Sequence, residues 1–173
     1  MIPPLNGPAL GNLMQVAWVT TDLDRALEQF KRIYRVPEFL VMEQSFPSIV
    51  FGEEGEMKLR IALANVDNVQ LELIEPVGGG VDRIYRDPLP TDGSHANVFH
   101  HVCVKVEGTL EDWESYRANL GPDRPVAYEG FIEGARFVYT DERATIGMFV
   151  EHVWFTPDTE ARMAEAVPTY RSR

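Results

Sequence analysis

Leu13-Met14-Gln15-Val16-Ala17-Trp18-Val19-Thr20 is a run of β-forming side chains. Directly behind it, apolar positions recur every three to four residues, at Leu23, Ala26, Leu27, Phe30, Ile33 and Tyr34. The first pattern predicts a strand. The second predicts one stripe of an amphipathic helix, with Asp22 as its N-cap and Pro37 as its stop. Further strands are predicted over 38–44, 48–52, 57–65 and 68–75, the last two forming a hairpin through Val66-Asp67-Asn68. Gly78-Gly79-Gly80, Asp87-Pro88, Leu89-Pro90 and Asp92-Gly93 mark 77–98 as a linker with a helical turn around Val81 to Tyr85.

The same order of patterns then returns. Phe99 to Val106 reads as a strand, and Thr109-Leu110-Glu111-Asp112 has the form of a capping box. Leu110, Trp113, Tyr116 and Leu120 make a helical stripe that Gly121 is expected to end. Strands are predicted near 125–131, 135–140 and 147–155, and a short helix and basic tail from Pro157. Such an internal repeat constrains the architecture. The expectation is an α+β fold of two βαβββ modules, residues 13–76 and 99–157, joined by the linker 77–98 and followed by a C-terminal helix and tail, 158–173. Together the modules form a curved mixed sheet around a cleft, with helices on the outer face. The opening dozen residues, with three prolines, read as an arm.

Period-two alternation assigns faces within the strands. Val16, Trp18 and Thr20 share the face that a helix must cover, which leaves Gln15, Ala17 and Val19 on the open one. His101 and Cys103 oppose Val102 and Val104; Glu72 opposes Leu71 and Leu73; Glu151 lies with Phe149 and Val153 on the open face. A lone strand Glu or Gln is ordinarily solvated, and a lone His ordinarily structural. Here four polar groups, Gln15, Glu72, His101 and Glu151, occupy corresponding places in two copies and on one face. Oxygen and nitrogen donors converging from a rigid sheet suit a divalent cation. By the same alternation His100 points away from His101, toward a partly buried or rim position. His152 falls under the helix layer or at an edge, and His95 is solvated in the linker. Cys103 reads as a small buried hydrophobe, and Arg60 as an exposed edge charge in preference to a cavity anchor.

Composition narrows the function classes. A 173-residue chain that is 45% hydrophobic can bury a core. With 16 Lys+Arg against 27 Asp+Glu, the net charge of −11 argues against nucleic-acid binding. The single cysteine, the lack of a ~20-residue apolar run and the lack of a signal-like N-terminus lead to the expectation of a cytoplasmic protein with no membrane partner.

The span from about Leu13 to Pro157 resembles the vicinal oxygen chelate superfamily, which includes glyoxalase I, methylmalonyl-CoA epimerase, extradiol dioxygenases and bleomycin or fosfomycin resistance proteins. The resemblance is carried by Gln15-Val16-Ala17-Trp18-Val19-Thr20-Thr21-Asp22-Leu23-Asp24, Leu71-Glu72-Leu73-Ile74-Glu75-Pro76, His100-His101-Val102-Cys103-Val104 and Phe149-Val150-Glu151-His152-Val153. It implies that Gln15, Glu72, His101 and Glu151 hold a divalent ion (Zn, Ni, Mn, Co or Mg). It further implies that Glu151, with Glu72 as the other acid, moves the substrate proton, and that the chain forms a homodimer. Family positions that contact glutathione fall on Val19 and Pro76, so a glutathione adduct is not the expected substrate. Gln15 stands where extradiol dioxygenases have an iron-binding His, which argues against that chemistry. The expected function is a glyoxalase-like metalloenzyme that isomerises, epimerises or cleaves a small carbonyl or thioester compound through an enediolate. The alternative is a metal-free protein of the same fold that sequesters a small molecule.

Overall fold

The computed structural model describes residues 10–172. Most of the expected N-terminal arm, and Arg173, lie outside the described residues. The elements are β1 (Leu13–Thr20), α1 (Leu23–Gln29) extended by a π-helical turn (Phe30–Tyr34), β2 (Leu40–Val50), β3 (Glu53–Val66), β4 (Val69–Gly78), α2 (Arg83–Arg86) and β5 (Asn97–Lys105). They continue with α3 (Leu110–Ala118), β6 (Val126–Ile132), β7 (Ala135–Glu142), β8 (Met148–Phe155), α4 (Pro157–Ala166) and β9 (Thr169–Tyr170).

Local chemistry accounts for the helix boundaries. The Asp22 carboxylate accepts the Arg25 N–H at the start of α1, and Arg35 in the left-handed region stops the helical run before Pro37. Thr109 and Asp112 complete a reciprocal capping box on α3. That helix ends at Asn119, short of Gly121, where its cap N–H is already satisfied by carbonyls of the last turn. The strands expected at 38–44 and 48–52 are one strand, β2. Pro47 is tolerated inside it because it lies just before the segment that pairs with β6, where only β3 runs alongside. Past α4 the tail adds β9 in parallel to the end of β3 at Asn65 and Val66, beyond the reach of β2.

The mixed sheet runs β2-β6-β7-β8-β5-β1-β4-β3, and β2 also pairs with β3. The expected curved sheet around a cleft therefore closes on itself into an eight-stranded, barrel-like ring, sealed by Ser48↔Gly130, Ile49↔Glu129 and Val50↔Tyr128. Eight strands leave an interior that side chains can nearly fill, or that can hold one small ligand. Gly130 is required at this seam, because a Cβ there would lie 2.2 Å from the Phe137 ring. Helices α1 and α3 pack outside. The first covers Ala62, Leu73 and Trp18; the second covers Val138 and Trp154. The segment expected as a linker contributes Val81, Ile84 and Tyr85 to the interior cluster with Val19, Phe46, Leu59, Ile74 and Phe137. Gly79 lets the chain turn into it, since a Cβ there would meet the Glu56 carbonyl at 2.2 Å. Among the described residues no helix is long and apolar enough to cross a membrane.

Candidate metal centre

Ala17, in the middle of β1, organises the interior by register. Its parallel partner on β4 is Glu72, and its antiparallel partner on β5 is His101. Across β5 and β8 Cys103 faces Glu151, which in turn pairs with Tyr139 on β7. Strand alternation sends these side chains inward, and only the methyl of Ala17 stands between Glu72 and His101 in the register. One ligand-type atom each from Glu72, His101 and Glu151 lies within 4.8 Å of the others. His101 Nε2 is 3.3 Å from Glu72 Oε2, 3.2 Å from Glu151 Oε2 and 3.3 Å from the Tyr139 hydroxyl.

The hydrogen bonds determine which nitrogen of His101 faces the acids. His100 Nε2 is 2.9 Å from the Ile84 carbonyl, which can only accept, so Nε2 carries the proton. Burial, reinforced by the neighbouring charges, lowers the His100 pKa to about 3 and keeps the ring neutral. His100 Nδ1 therefore accepts from His101 Nδ1–H at 2.9 Å, and His101 Nε2 is turned toward the carboxylates. Burial alone would lower the His101 pKa, but Glu151 and Glu72 outweigh it and raise it to about 9. Glu72 is shifted up from the usual carboxylate range by burial, against the pull of His101. Its Oε2 has no hydrogen-bond partner despite the contact to His101. Tyr85 donates to the Tyr139 hydroxyl at 2.9 Å, and burial pushes both phenols well above their ordinary value, so both stay protonated.

The structure brings Glu72, His101 and Glu151 together. Gln15 is buried and lines the same cavity one inward position along β1; its amide nitrogen donates to Gln70 Oε1 at 2.8 Å, which leaves its own amide oxygen as a donor atom for an ion. His100 departs from the alternation. Between Ala17↔His101 and Trp18↔Phe99 the β1–β5 register shifts by one residue, and His100 is the extra one. This bulge turns both histidines inward, so His100 is neither a rim residue nor directed away from His101. His95 is not simply solvated either: it contacts Thr21 and Gln29, tying the segment before β5 to α1. His152 sits under α3, bonded to Tyr116, as the alternation implied. Arg60 points to the outside, paired with Asp24 and Glu75. Tyr139 was recoverable from the alternation of Phe137 and Tyr139 in β7. Tyr85 and the Ile84 carbonyl come from the one-turn helix α2, too short to show a periodicity.

A buried acceptor without a partner, a second carboxylate and an imidazole nitrogen turned toward both fit a hard or borderline divalent ion, with Gln15 able to add an amide oxygen. A barrel-like sheet from a repeated strand–helix–three-strand order, with acids and a histidine on its inner strands, defines a protein of the vicinal oxygen chelate class. The chain belongs to the Glyoxalase/Bleomycin resistance protein/Dioxygenase superfamily, whose family model matches residues 14–131. Methylmalonyl-CoA epimerase from Mycobacterium tuberculosis is similar in structure, with a TM-score of 0.55 at 16% identity over 87% of this chain and 91% of that one. A methylmalonyl-CoA epimerase variant from Streptomyces coelicolor in complex with 2-nitronate-propionyl-CoA gives 0.48 at 18% identity, covering 84% and 97%. A hypothetical protein from Bacillus halodurans gives 0.48 at 14%, covering 83% and 94%. At these identities the likeness is one of fold. No curated protein matches the chain.

Proposed function

We propose that the chain is a divalent-metal-dependent lyase or isomerase that moves a proton on a carbon next to a carbonyl or thioester. The observation that carries this is the convergence of Glu72, His101 and Glu151 around an acceptor with no partner, at the wall of a cavity of about 180 Å³. Glu72, His101 and Glu151, with Gln15, would hold the ion. When bound, the ion would supply charge stabilisation to a substrate oxygen that becomes negative as the C–H proton leaves. Glu151 lines the cavity and is the base in this reading, with Glu72 as the acid on the other side. Tyr139, held by Tyr85, directs a neutral O–H into the same space. The methylmalonyl-CoA epimerases that share the fold support an isomerase over a lyase. We read residues 13–76 and 99–157 as two copies of one βαβββ unit, and a cytoplasmic homodimer as the working form.

A second reading, sequestration of a small molecule without metal, is favoured by the apolar cavity wall and by ion pairs that satisfy His101 without an ion. Metal analysis separates the two. Dialysis against Zn²⁺, Ni²⁺, Co²⁺, Mn²⁺ and Mg²⁺ in turn should leave about one equivalent of at least one ion, and His101→Ala should lose it. Glu151→Gln should retain much of the metal through its amide oxygen and abolish exchange of a substrate C–H with deuterated solvent. A chain that retains no ion from any of these solutions belongs to the second reading.

A further inference from the structure

The wall of the cavity differs in charge from what an acyl-CoA or carboxylate substrate requires. Met42, Phe46, Leu59, Phe137, Phe155 and Met163 make up much of it. Its charged members are Glu72, Glu151 and Glu133, all acidic, and no Lys or Arg lines it among the described residues. Arg60, between the lining residues Leu59 and Ile61 on β3, is committed on the opposite face to Asp24 and Glu75 at 2.8 Å each. A divalent ion at the inner end would be matched in formal charge by the two carboxylates that hold it, which would weaken its pull on an anionic group. Bringing a carboxylate or phosphate into such a space costs several kcal/mol of hydration, and the imidazole at its inner end, His101, is already paired with Glu72 and Glu151. The overall charge of −11 works in the same direction at longer range. The polar groups in the wall are otherwise neutral: the hydroxyls of Tyr85, Tyr128 and Tyr139 and the amides of Gln15, Gln44 and Gln70. These orient a carbonyl or hydroxyl and carry no charge with which to select an acid.

The pocket is open on one side, so its volume of about 180 Å³ bounds only the part of a ligand that enters it. From the charge of the wall, we propose that the site takes an uncharged, largely apolar carbonyl compound and rejects substrates that bring a carboxylate or phosphate into it, methylmalonyl-CoA with its free carboxylate among them. This rests on the reading above that the Glu72–His101–Glu151 cavity is the substrate site. It departs from the substrates seen in the fold's epimerase relatives.

The test uses matched probes on the full chain, metal-free and after Zn²⁺ loading: neutral 2-hydroxyacetophenone, its acid counterpart mandelate, and methylmalonyl-CoA. Binding is read by calorimetry and by displacement of Nile red. The ketone should bind both forms at least about tenfold more tightly than mandelate, and methylmalonyl-CoA should not displace the dye. Met163→Lys, a change at a partly exposed position of α4, places a cation beside the cavity and should bring mandelate within a few-fold of the ketone without altering the helix content. The proposal is overturned if mandelate or methylmalonyl-CoA binds the wild type as tightly as the ketone, or if the ketone binds neither form. Its failure is distinguishable from failure of the metalloenzyme reading. Ketone binding to a chain that retains no metal leaves this inference standing and removes the enzyme. Metal retention with C–H exchange on methylmalonyl-CoA does the reverse.

Discussion

His101 is effective as a donor because of its neighbour. Its Nδ1–H is taken by His100, whose own proton is taken by the Ile84 carbonyl, so Nε2 has one orientation and would present its lone pair once an ion replaces the proton it shares with the glutamates. Groups that orient a metal-binding histidine in this way typically change metal affinity 10–100-fold when removed. His100→Ala is therefore expected to weaken Zn²⁺ binding by about that factor, measured by competition with a chelator of known affinity. The control is His152→Gln: that side chain follows Glu151 in the chain but is held on the far side of β8 by Tyr116, Thr140 and Arg124. Equal effects of the two changes would mean that His100 acts only through general packing. Ala17 belongs at this scale too, because a side chain larger than methyl at that crossing would occupy the space shared by Glu72 and His101.

At the scale of elements, the barrel depends on a narrow seam. Only three residue pairs join β2 to β6, and Gly130 at that seam lets the Phe137 ring fill the interior. Gly130→Ala would force that ring or the strand to shift, so a loss of about 1–3 kcal/mol is expected from overpacking, read as a lower denaturant midpoint with unchanged slope. The same change should reduce cavity binding, because Phe137 is part of the wall. An exposed cap offers the contrast. Thr109→Ala removes the capping box from α3 and should cost about 1 kcal/mol while leaving the cavity unaltered, since α3 packs on the opposite face of the sheet.

Across the whole molecule, three buried histidines set the pH profile of the metal-free protein. His100 and His152 have folded pKa values lowered from 6.5 to about 3, chiefly by burial. Each contributes stability that is present above pH 6.5 and lost as pH falls toward 3. His101, raised to about 9 by the two glutamates, contributes stability that is complete below 6.5 and lost as pH rises through 9. Stability should therefore peak near pH 6.5. It should fall on the acid side by up to about 1.4 kcal/mol per pH unit for each histidine, as measured by urea midpoints from pH 4 to 9. His152→Gln should flatten the acid limb, and an unchanged acid limb would show that His152 is not titrating with unfolding. Much of the fold could be read along the chain. Alternation and capping are local: Asp22, Thr109 and Asp112 act on N–H groups within three residues, and each strand shows its covered face in its own pattern. That is why the inward positions of Gln15, Glu72, Cys103 and Glu151 and the outward position of His152 could be read from one sequence. The bulge at His100, the closure of β2 on β6 and the Tyr85–Tyr139 pair could not. A bulge arises from the register between two strands, a barrel closes through residues some eighty positions apart, and a one-turn helix such as α2 shows its contacts only when packed. Outside the bulge at His100, the sequence by itself determined which strand residues face inward; tertiary structure decided which of them touch, because contact depends on register and closure, properties of strand pairs and not of any one strand.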